Sequence, residues 1–226
     1  ISSLYGMEQT PEWHHKDVFY HTLQVVDNIS MKTNKIKLRF AALLHDIGKP
    51  KTRRLNQKKG WTFHGHDAVG ANMINVLSRR LKLSKEMTEY LKKLTLLHLR
   101  PISLAKDGVT DSAVRRLMVA AGDDVKDLMI LCRADITSKN PNLVKKYLLN
   151  FDKVESIMND VKEKDSFKNF QSPIRGNQIM SECKINEGKI VGLIKKDIEN
   201  AILDGIIENN YESSYKYFLK IKDKYL

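Results

Sequence analysis

The segment AALLHDIGKP, residues 41–50, is an apolar run that stops at an adjacent histidine and aspartate. Its first four residues predict a buried helix, and Gly48 followed by Pro50 predicts the end of that helix. His45 and Asp46 are therefore expected at the end of a firmly held helix. Because a single histidine–aspartate pair is common by chance, its meaning depends on the rest of the chain.

Four other segments each supply one histidine or aspartate, and in chain order these are His21, His66, His98 and Asp135. Each lies on or beside the apolar face of a predicted helix. His21, for example, falls between Val18 and Val25 at spacings of i, i+3 and i+7, which places it on the valine face. A carboxylate on such a face, as expected for Asp135, needs a partner or a cation because its desolvation alone is costly.

Two interpretations of these residues remain open. Each could be a satisfied polar group of the core, with a histidine bonded to a backbone carbonyl, or Asp135 paired with Arg133 or another cation. Alternatively, all of them could converge on a metal ion. Imidazole and carboxylate suit Mn, Fe, Co, Ni or Zn, whereas the lack of thiolates in the set disfavours a structural zinc site. Five segments with inward-pointing ligands favour a catalytic metal centre.

Composition narrows the class of protein. The 226 residues suit one or two domains, and a hydrophobic content of 42% is enough for a packed core. The net charge of +12 fits a polyanionic partner such as RNA, although a solvated lysine-rich surface explains it equally well.

Two cysteines, Cys132 and Cys183, are too few for a disulfide framework, which favours a reducing cytoplasm. No apolar stretch approaches the roughly 20 residues that cross a bilayer, so no membrane partner is expected. A chain that begins with Ile1 rather than methionine is expected to be part of a longer protein.

Helical periodicity dominates the chain and predicts an all-α fold. We expect helices at 16–30, 35–47, 67–82, 85–99, 111–121, 123–138 and 141–164. Thr110 and Asn140 are predicted helix N-caps, and Gly122 is a predicted stop. Only residues 51–65 are expected to form an extended or hairpin-like excursion, which would fold over the metal site.

A second, smaller unit is predicted after residue 164. The broken periodicity of 165–175 marks the boundary between domains 1–164 and 165–226. Helices are expected at 176–183 and 187–205, followed by a terminal amphipathic helix whose basic and aromatic residues could instead stack on RNA. One apolar stripe at i+4 spacing is expected to pack against other helices, and it consists of Ile190, Ile194, Ile198 and Ile202.

The order His21, His45–Asp46, His66, His98, Asp135 resembles the HD superfamily of metal-dependent phosphohydrolases. The likeness is closest to the HD-containing C-terminal half of bacterial tRNA nucleotidyltransferases of the CCA-adding and poly(A) polymerase family. It is carried by WHHKDVFYHTLQVVDN (13–28), AALLHDIGKPKTRR (41–54), GWTFHGHDAVGA (60–71) and VTDSAVRRLMVAAGDD (109–124). PIRGNQIM (173–180) and residues 188–209 resemble that family's RNA-facing tail.

The resemblance implies an all-α HD-domain bundle with a helical RNA-binding tail, which hydrolyses phosphomonoesters or 2',3'-cyclic phosphates. The implied cofactor is one or two divalent ions of Mn, Ni, Co, Fe or Mg. One ion would be held by His21, His45, Asp46 and Asp135, and a second site would be completed by His66 and His98.

Basic residues that follow these ligands are candidates for contacts with the substrate. Lys49 is expected to assist catalysis with His45 and Asp46, and guanidinium groups pair well with phosphate oxygens. The predicted substrate-binding residues are Arg53, Arg54, His64 and Arg115, with Arg116 as the alternative to Arg115. An exposed basic loop is the competing explanation for Lys49, Lys51, Arg53 and Arg54.

In that family, nucleotide addition belongs to an N-terminal head with a Gly-Ser turn and an acidic pair. The chain contains no Gly-Ser dipeptide, so polymerisation would reside in a nucleotidyltransferase head of the parent protein. Two alternatives remain: a catalytically silent HD scaffold that positions tRNA for that head, and an independent nucleotide hydrolase.

Overall fold

The structure is a computed structural model that describes residues 1–8, 17–58, 60–106, 110–164 and 171–226. Those residues are mostly helical, with one small two-stranded sheet, which confirms the predicted all-α fold. The α-helices are α1 (Val18–Ser30), α2 (Ile36–Leu44), α3 (Lys49–Thr52), α4 (His66–Leu81), α5 (Lys85–Leu97), α6 (Arg100–Lys106), α7 (Asp111–Ala121), α8 (Val125–Ala134), α9 (Pro141–Lys164), α10 (Gly176–Cys183), α11 (Lys189–Leu203) and α12 (Tyr211–Ile221).

Three short 3-10 segments, Ser2–Leu4, Gly122–Asp124 and Lys222–Lys224, accompany the α-helices. Among the described residues, no helix is both long enough and apolar enough to cross a bilayer.

Several predicted helix ends are confirmed by their capping contacts. The Thr110 hydroxyl accepts a hydrogen bond from the Ala113 amide at 3.3 Å at the start of α7. Asn140 Oδ1 accepts from the Leu143 amide at 3.3 Å at the start of α9. Gly122 has a φ of +56°, a left-handed conformation that suits glycine, directly after α7 ends.

The predicted helix 35–47 is too long at its C-terminal end. α2 ends at Leu44, residues 45–48 form turns, and the chain resumes as the short helix α3. Pro50 is the second residue of α3, where a missing amide hydrogen breaks no helical hydrogen bond. Proline therefore starts a new helix here, and the predicted excursion at 51–65 begins later than expected.

Two further boundaries differ from prediction. α5 ends at Leu97, and residues 100–106 form α6, which the sequence did not predict. α8 ends at Ala134 rather than near 138, and the Asn28 side chain donates a hydrogen bond to the Ala134 carbonyl at 2.8 Å. That contact gives one of the last carbonyls of α8 a partner from α1.

The predicted hairpin is present as two antiparallel strands, β1 (Arg54–Asn56) and β2 (Gly60–Thr62). Arg54 pairs with Thr62, Leu55 with Trp61 and Asn56 with Gly60. Gly60 has a φ of +69°.

The chain divides into two compact units, Ile1–Gly108 with Ala121–Glu155, and Val109–Ala120 with Ser156–Leu226. The predicted functional domains, 1–164 and 165–226, stay a prediction. The main core of the first unit lies among α1, α2, α4, α5 and α8, with Val25, Leu38, Ile74, Leu91 and Leu131 fully buried. These five helices also carry or adjoin the candidate site.

The second unit has its own core, built largely by α10, α11 and α12. Ile194, Ile198 and Ile202 are buried as predicted, but Ile190 is 40% exposed and Val191 is buried in its place. Residues four apart drift by about 40° around a helix axis, so a long i+4 stripe leaves the packed face.

Candidate metal centre

The centre is built around His45 and Asp46, in the turn that directly follows α2. α2 is held in the core by Leu38, Ala41, Ala42 and Leu44, each at most 1% exposed. His45 and Asp46 are themselves 0% and 2% exposed. The apolar run thus anchors the end of α2 and places both polar side chains in the interior.

Four other elements bring their polar residues to the same point. His21 lies in the first turn of α1, His66 is the first residue of α4, and His98 and Asp135 directly follow α5 and α8. The Asp46 carboxylate lies 3.5 Å from His21 Nε2, 3.2 Å from His45 Nε2, 3.2 Å from His66 Nε2 and 3.9 Å from His98 Nε2. Asp135 Oδ1 lies 2.9 Å from His21 Nε2 and 3.4 Å from His45 Nε2.

The backbone orients three of the imidazole rings. Nδ1 of His45, His66 and His98 lies 2.6, 2.8 and 2.6 Å from the carbonyl oxygens of Ala42, Phe63 and Thr95. A carbonyl only accepts hydrogen bonds, so Nδ1 carries the proton in each ring. Nε2 of the neutral ring then offers its lone pair to the centre, which is the arrangement usual for histidine ligands of metals.

The six side chains form two groups of three: His21, His45 and Asp135, and Asp46, His66 and His98. Within each group one potential ligand atom per residue lies within 4.8 Å of the others. Asp46 spans both groups, because Oδ2 faces His21 and His45 while Oδ1 faces His66 and His98. A carboxylate in this position can be shared by two cation sites.

A cation fits the unsatisfied acceptors of the centre. Within the described part of the chain, His45 Nε2 and Asp135 Oδ1 are buried atoms without a hydrogen-bond partner of suitable geometry. The buried carboxylate of Asp127 provides a contrast, since it accepts hydrogen bonds from the Tyr90 hydroxyl at 2.9 Å and Lys35 Nζ at 2.7 Å. Buried acceptors are normally satisfied in this way, so the donor set of the centre suits a bound divalent ion.

The pKa values also show that the centre favours positive charge. Burial lowers the pKa of His45, but the carboxylates of Asp46 and Asp135 outweigh it and raise the pKa to about 10. Burial raises the pKa of Asp46, whereas His45 and Lys49 bring it well below its usual value. In the absence of a metal, a proton on His45 therefore supplies the charge that the carboxylates require.

His98 shows the opposite shift. Burial, reinforced by the positive charge of His45, lowers the pKa of His98 to about 4. His98 is therefore a neutral imidazole at physiological pH, the form that binds a metal ion.

Lys49, a predicted catalytic residue, lies beside the centre in the first turn of α3. Its Nζ is 2.7 Å from Asp46 Oδ2, and the residue is 6% exposed. The ammonium also lies 5.5 Å from the centre of the Phe63 ring. A buried cation beside the shared carboxylate offsets part of its charge.

The other predicted substrate residues lie outside this cluster. The Arg53 guanidinium stacks on the Trp61 ring at 3.8 Å, and Arg54 Nη1 donates a hydrogen bond to the Arg53 carbonyl at 2.8 Å. His64 is exposed between β2 and α4. Arg115 belongs to the second compact unit.

Arg116, the alternative to Arg115, is held within that same unit. It donates hydrogen bonds to Asn200 Oδ1 at 3.0 Å and to Asp204 Oδ1 at 2.8 Å. His14 and His15, expected at the surface or the helix start, lie outside the described residues.

The core interpretation of Asp135 paired it with Arg133 or another cation. Arg133 instead contacts Asp152 at 2.7 Å and Glu155 at 2.8 Å. Arg133, the basic residue nearest to Asp135 in the sequence, therefore pairs with other carboxylates and not with Asp135.

Sequence reasoning missed Thr137, whose hydroxyl lies 2.9 Å from His21 Nδ1. Because a hydroxyl can donate or accept, it can hold His21 in either tautomer. The sequence offers one clue to Thr137, which is that it lies two residues after the candidate ligand Asp135.

Sequence reasoning also missed a cavity of about 180 Å³ that reaches His98 and Asp135. The Asp135 side chain is 23% exposed, whereas the His21, His45, Asp46, His66 and His98 side chains are at most 9% exposed. Asp135, which lines this cavity, is therefore the most exposed of the six side chains.

The fold is a helical bundle, and five of its segments contribute histidines and aspartates to one interior cluster. These two features together define a class of helical proteins with a candidate divalent-metal centre. A family model described as HD domain matches residues 18–140, which include all six of these residues and make up more than half of the chain. The chain belongs to the HD domain family.

Curated relatives share this region. The chain is 33% identical over 90 residues to a "Multifunctional CCA protein" of Hahella chejuensis, a match that covers 39% of this chain and 21% of the relative. Identity to a protein of the same name from Psychromonas ingrahamii is 37% over 91 residues, or 39% of this chain and 21% of the relative.

An "A-adding tRNA nucleotidyltransferase" of Deinococcus radiodurans is 33% identical over 126 residues, which are 54% of this chain and 28% of the relative. The chain thus spans between 21% and 28% of the length of these three relatives.

Proposed function

We propose that this chain is a metal-dependent phosphohydrolase that cleaves phosphomonoesters or 2',3'-cyclic phosphates. The observation that carries the proposal is the position of Asp46, with one carboxylate oxygen toward each of two groups of buried ligands. A divalent ion bound there would supply a Lewis acid for the phosphoryl oxygens and lower the pKa of a water molecule.

The residues of the chain prepare the site for this reaction. The carbonyls of Ala42, Phe63 and Thr95 hold three rings with Nε2 inward, and burial excludes bulk water around them. Lys49 places a positive charge beside Asp46, where negative charge develops on a substrate phosphoryl group.

In the hydrolysis of a cyclic phosphate, the oxygen of a water molecule forms a new bond to phosphorus. The bond from phosphorus to one ribose oxygen breaks, and that oxygen takes up a proton. The product is a phosphomonoester, so both proposed substrate types require the same cleavage of a P–O bond.

The proposed substrate contacts follow the sequence prediction. Arg53, Arg54 and His64 lie between the α3 helix and the first residue of α4, and they would contact a phosphate-bearing chain. Arg115, which belongs to the other compact unit, stays a predicted substrate contact because a guanidinium pairs well with phosphate oxygens.

We also propose that the chain is the HD-containing part of a tRNA nucleotidyltransferase-like protein, because the relatives bear such names. RNA, in particular tRNA, and a nucleotidyltransferase head are the proposed partners, and the cytoplasm is the proposed location. The net charge of +12 is consistent with an RNA partner.

Activity assays test the phosphohydrolase proposal directly. The chain should hydrolyse a phosphomonoester and a nucleoside 2',3'-cyclic phosphate when Mn²⁺, Co²⁺ or Ni²⁺ is added, and lose the activity with a chelator. His45→Ala with Asp46→Ala should abolish it, while the exposed pair Lys85→Ala with Glu86→Ala should not. Full activity in the His45/Asp46 variant would contradict the proposal.

The second candidate is a silent HD scaffold that positions tRNA, which the names of the relatives favour. Elemental analysis and tRNA binding separate the two functions. Metal-free protein with salt-dependent tRNA binding would favour the scaffold, whereas a near-stoichiometric transition metal with hydrolysis would favour the enzyme.

A further inference from the structure

The β1–β2 hairpin places two aromatic rings against two cations of α3. The centre of the Trp61 ring, on β2, lies 3.8 Å from the Arg53 guanidinium. Phe63 directly follows β2, and the centre of its ring lies 5.5 Å from Lys49 Nζ. Lys49 is the first residue of α3 and Arg53 directly follows its last residue, so the two cations are four residues apart. Residues at this spacing lie on the same face of a helix.

The two cations differ in their partners. Lys49 Nζ lies 2.7 Å from Asp46 Oδ2 in the candidate metal centre. The Arg53 guanidinium, in contrast, has no ion pair or hydrogen-bond acceptor among the described residues, and its contact there is the Trp61 ring. Arg53 Nε is buried, so the donors that can reach a ligand are those of Nη1 and Nη2. The terminal donors of Arg53 are therefore available for an anion.

Trp61 fixes the orientation of these donors. A guanidinium that stacks on a ring uses its flat face, whereas its N–H groups point outward in its own plane. The ring is itself held by the hairpin, in which Trp61 pairs with Leu55. An arginine held in this way loses little conformational freedom when it binds a phosphate group through two parallel hydrogen bonds.

The spacing along α3 relates Arg53 to the centre. Four residues of an α-helix rise about 6 Å along its axis, so Arg53 follows Lys49 by about one turn. In the proposed function, Lys49 stands beside the phosphoryl group that is cleaved. Arg53 and Trp61 are both half-buried, and both belong to the same compact unit as Lys49. A substrate with a second phosphate group can engage both cations.

We propose that Arg53, held in position by Trp61, binds a second phosphate group of the substrate and makes the centre prefer esters that carry two phosphates. Trp61 is then a positioning residue that acts through Arg53. The proposal rests on the proposed phosphohydrolase function for the location of the first phosphate, but binding of the second can be measured without catalysis.

Adenosine 3',5'-bisphosphate and adenosine 3'-monophosphate differ by one phosphate group, and calorimetry with chelator present measures their binding without hydrolysis. We expect the bisphosphate to bind the wild type about 10-fold more tightly, the size of effect that hydrogen bonds to one charged group produce. Arg53→Gln should abolish this difference. Trp61→Leu removes the aromatic face and should reduce it, whereas Trp61→Phe keeps a ring and should retain most of it.

Lys58→Gln is the matched control, because it removes one positive charge from an exposed position between β1 and β2. It should keep the wild-type preference, which separates a specific contact from the overall charge of the chain. With Mn²⁺ added, Arg53→Gln should raise KM for the bisphosphate about 10-fold and leave kcat near the wild-type value. Circular dichroism establishes that each variant is folded.

Two results would overturn the proposal: equal binding of both nucleotides by the wild type, or an unchanged preference in folded Arg53→Gln protein. A full preference in folded Trp61→Leu protein would refute the positioning role of Trp61.

The same nucleotides distinguish this proposal from the function on which it rests. Metal-dependent hydrolysis of both, together with equal binding, would refute the second phosphate site and leave the phosphohydrolase intact. Tighter binding of the bisphosphate that depends on Arg53, without hydrolysis of either nucleotide, would support the site and contradict the phosphohydrolase.

Discussion

Lys49 Nζ lies 2.7 Å from Oδ2 of Asp46, and the two side chains are 8% and 2% exposed. The ammonium therefore stands beside the oxygen that also faces His21 and His45. Its charge opposes a cation at that oxygen and, in the proposed function, attracts a substrate phosphoryl group.

Lys49→Met should separate these two effects. Loss of the ammonium removes repulsion, so we expect tighter Mn²⁺ binding in calorimetry. The rate of phosphoester hydrolysis should fall about 10²-fold, as for loss of one charge-stabilising donor. Lys51→Met, an exposed change in the same helix, is the control. A variant with wild-type metal affinity and rate would show that Lys49 is only structural.

Gly48→Ala should damage the centre through packing. A Cβ at Gly48 would lie 2.1 Å from the His66 carbonyl oxygen and 2.7 Å from the Gly70 amide nitrogen, both backbone atoms. The turn after α2 would then move away from α4, which should cost about 1–3 kcal/mol and separate Asp46 from His66.

Thermal unfolding and Mn²⁺ titration measure both effects of Gly48→Ala. Gly192→Ala is the control, because a Cβ added at Gly192 would meet nothing within 4 Å and alanine favours a helix interior. Equal stability of the two variants would contradict the proposed close packing.

The stability of the metal-free protein should fall as pH rises from 6.5 toward 10. His45 has a pKa of about 10 when folded and an ordinary value of 6.5, so its protonation favours the folded state. That contribution is complete below pH 6.5 and disappears as the pH approaches 10. Each kcal/mol lost should lower Tm by about 2–4 °C.

Melting curves between pH 6.5 and 9, with and without Mn²⁺, measure this effect. A bound cation should remove the dependence of Tm on pH because it replaces the proton on His45. His45→Gln has no titrating group at that position, so its Tm should change less with pH than the Tm of the wild type. An equal change of Tm with pH in the two metal-free proteins would rule out His45 as the source.

Thr137→Val should weaken metal binding without a direct loss of any of the six candidate ligands. The variant removes the hydroxyl 2.9 Å from His21 Nδ1 and leaves the orientation of that ring less restrained. Loss of such a supporting hydrogen bond typically costs about 10–100-fold in metal affinity. Thr137→Ser keeps the hydroxyl and should retain near-normal affinity, as measured by Mn²⁺ titration. Comparable affinities for all three proteins would exclude this role for Thr137.

Local sequence patterns predicted much of the helical framework. The i, i+3 and i+7 spacing of Val18, His21 and Val25 correctly placed His21 on a buried face. Thr110 and Asn140 were recognised as caps because capping depends on residues only a few positions apart. The break between α2 and α3 and the end of α8 were harder to predict from the sequence. Pro50 suits a helix start as well as a helix end, and Asn28 reaches the Ala134 carbonyl from another helix.

The sequence by itself determined which residue types were available and which faces of the helices were apolar, since both depend on composition and short-range periodicity. Only the tertiary structure decided that His21 meets Asp135, that the two oxygens of Asp46 face different ligand groups, and that a cavity of about 180 Å³ adjoins the centre. The reason is physical: periodicity specifies that a face is buried, but packing between distant helices decides what that face contacts.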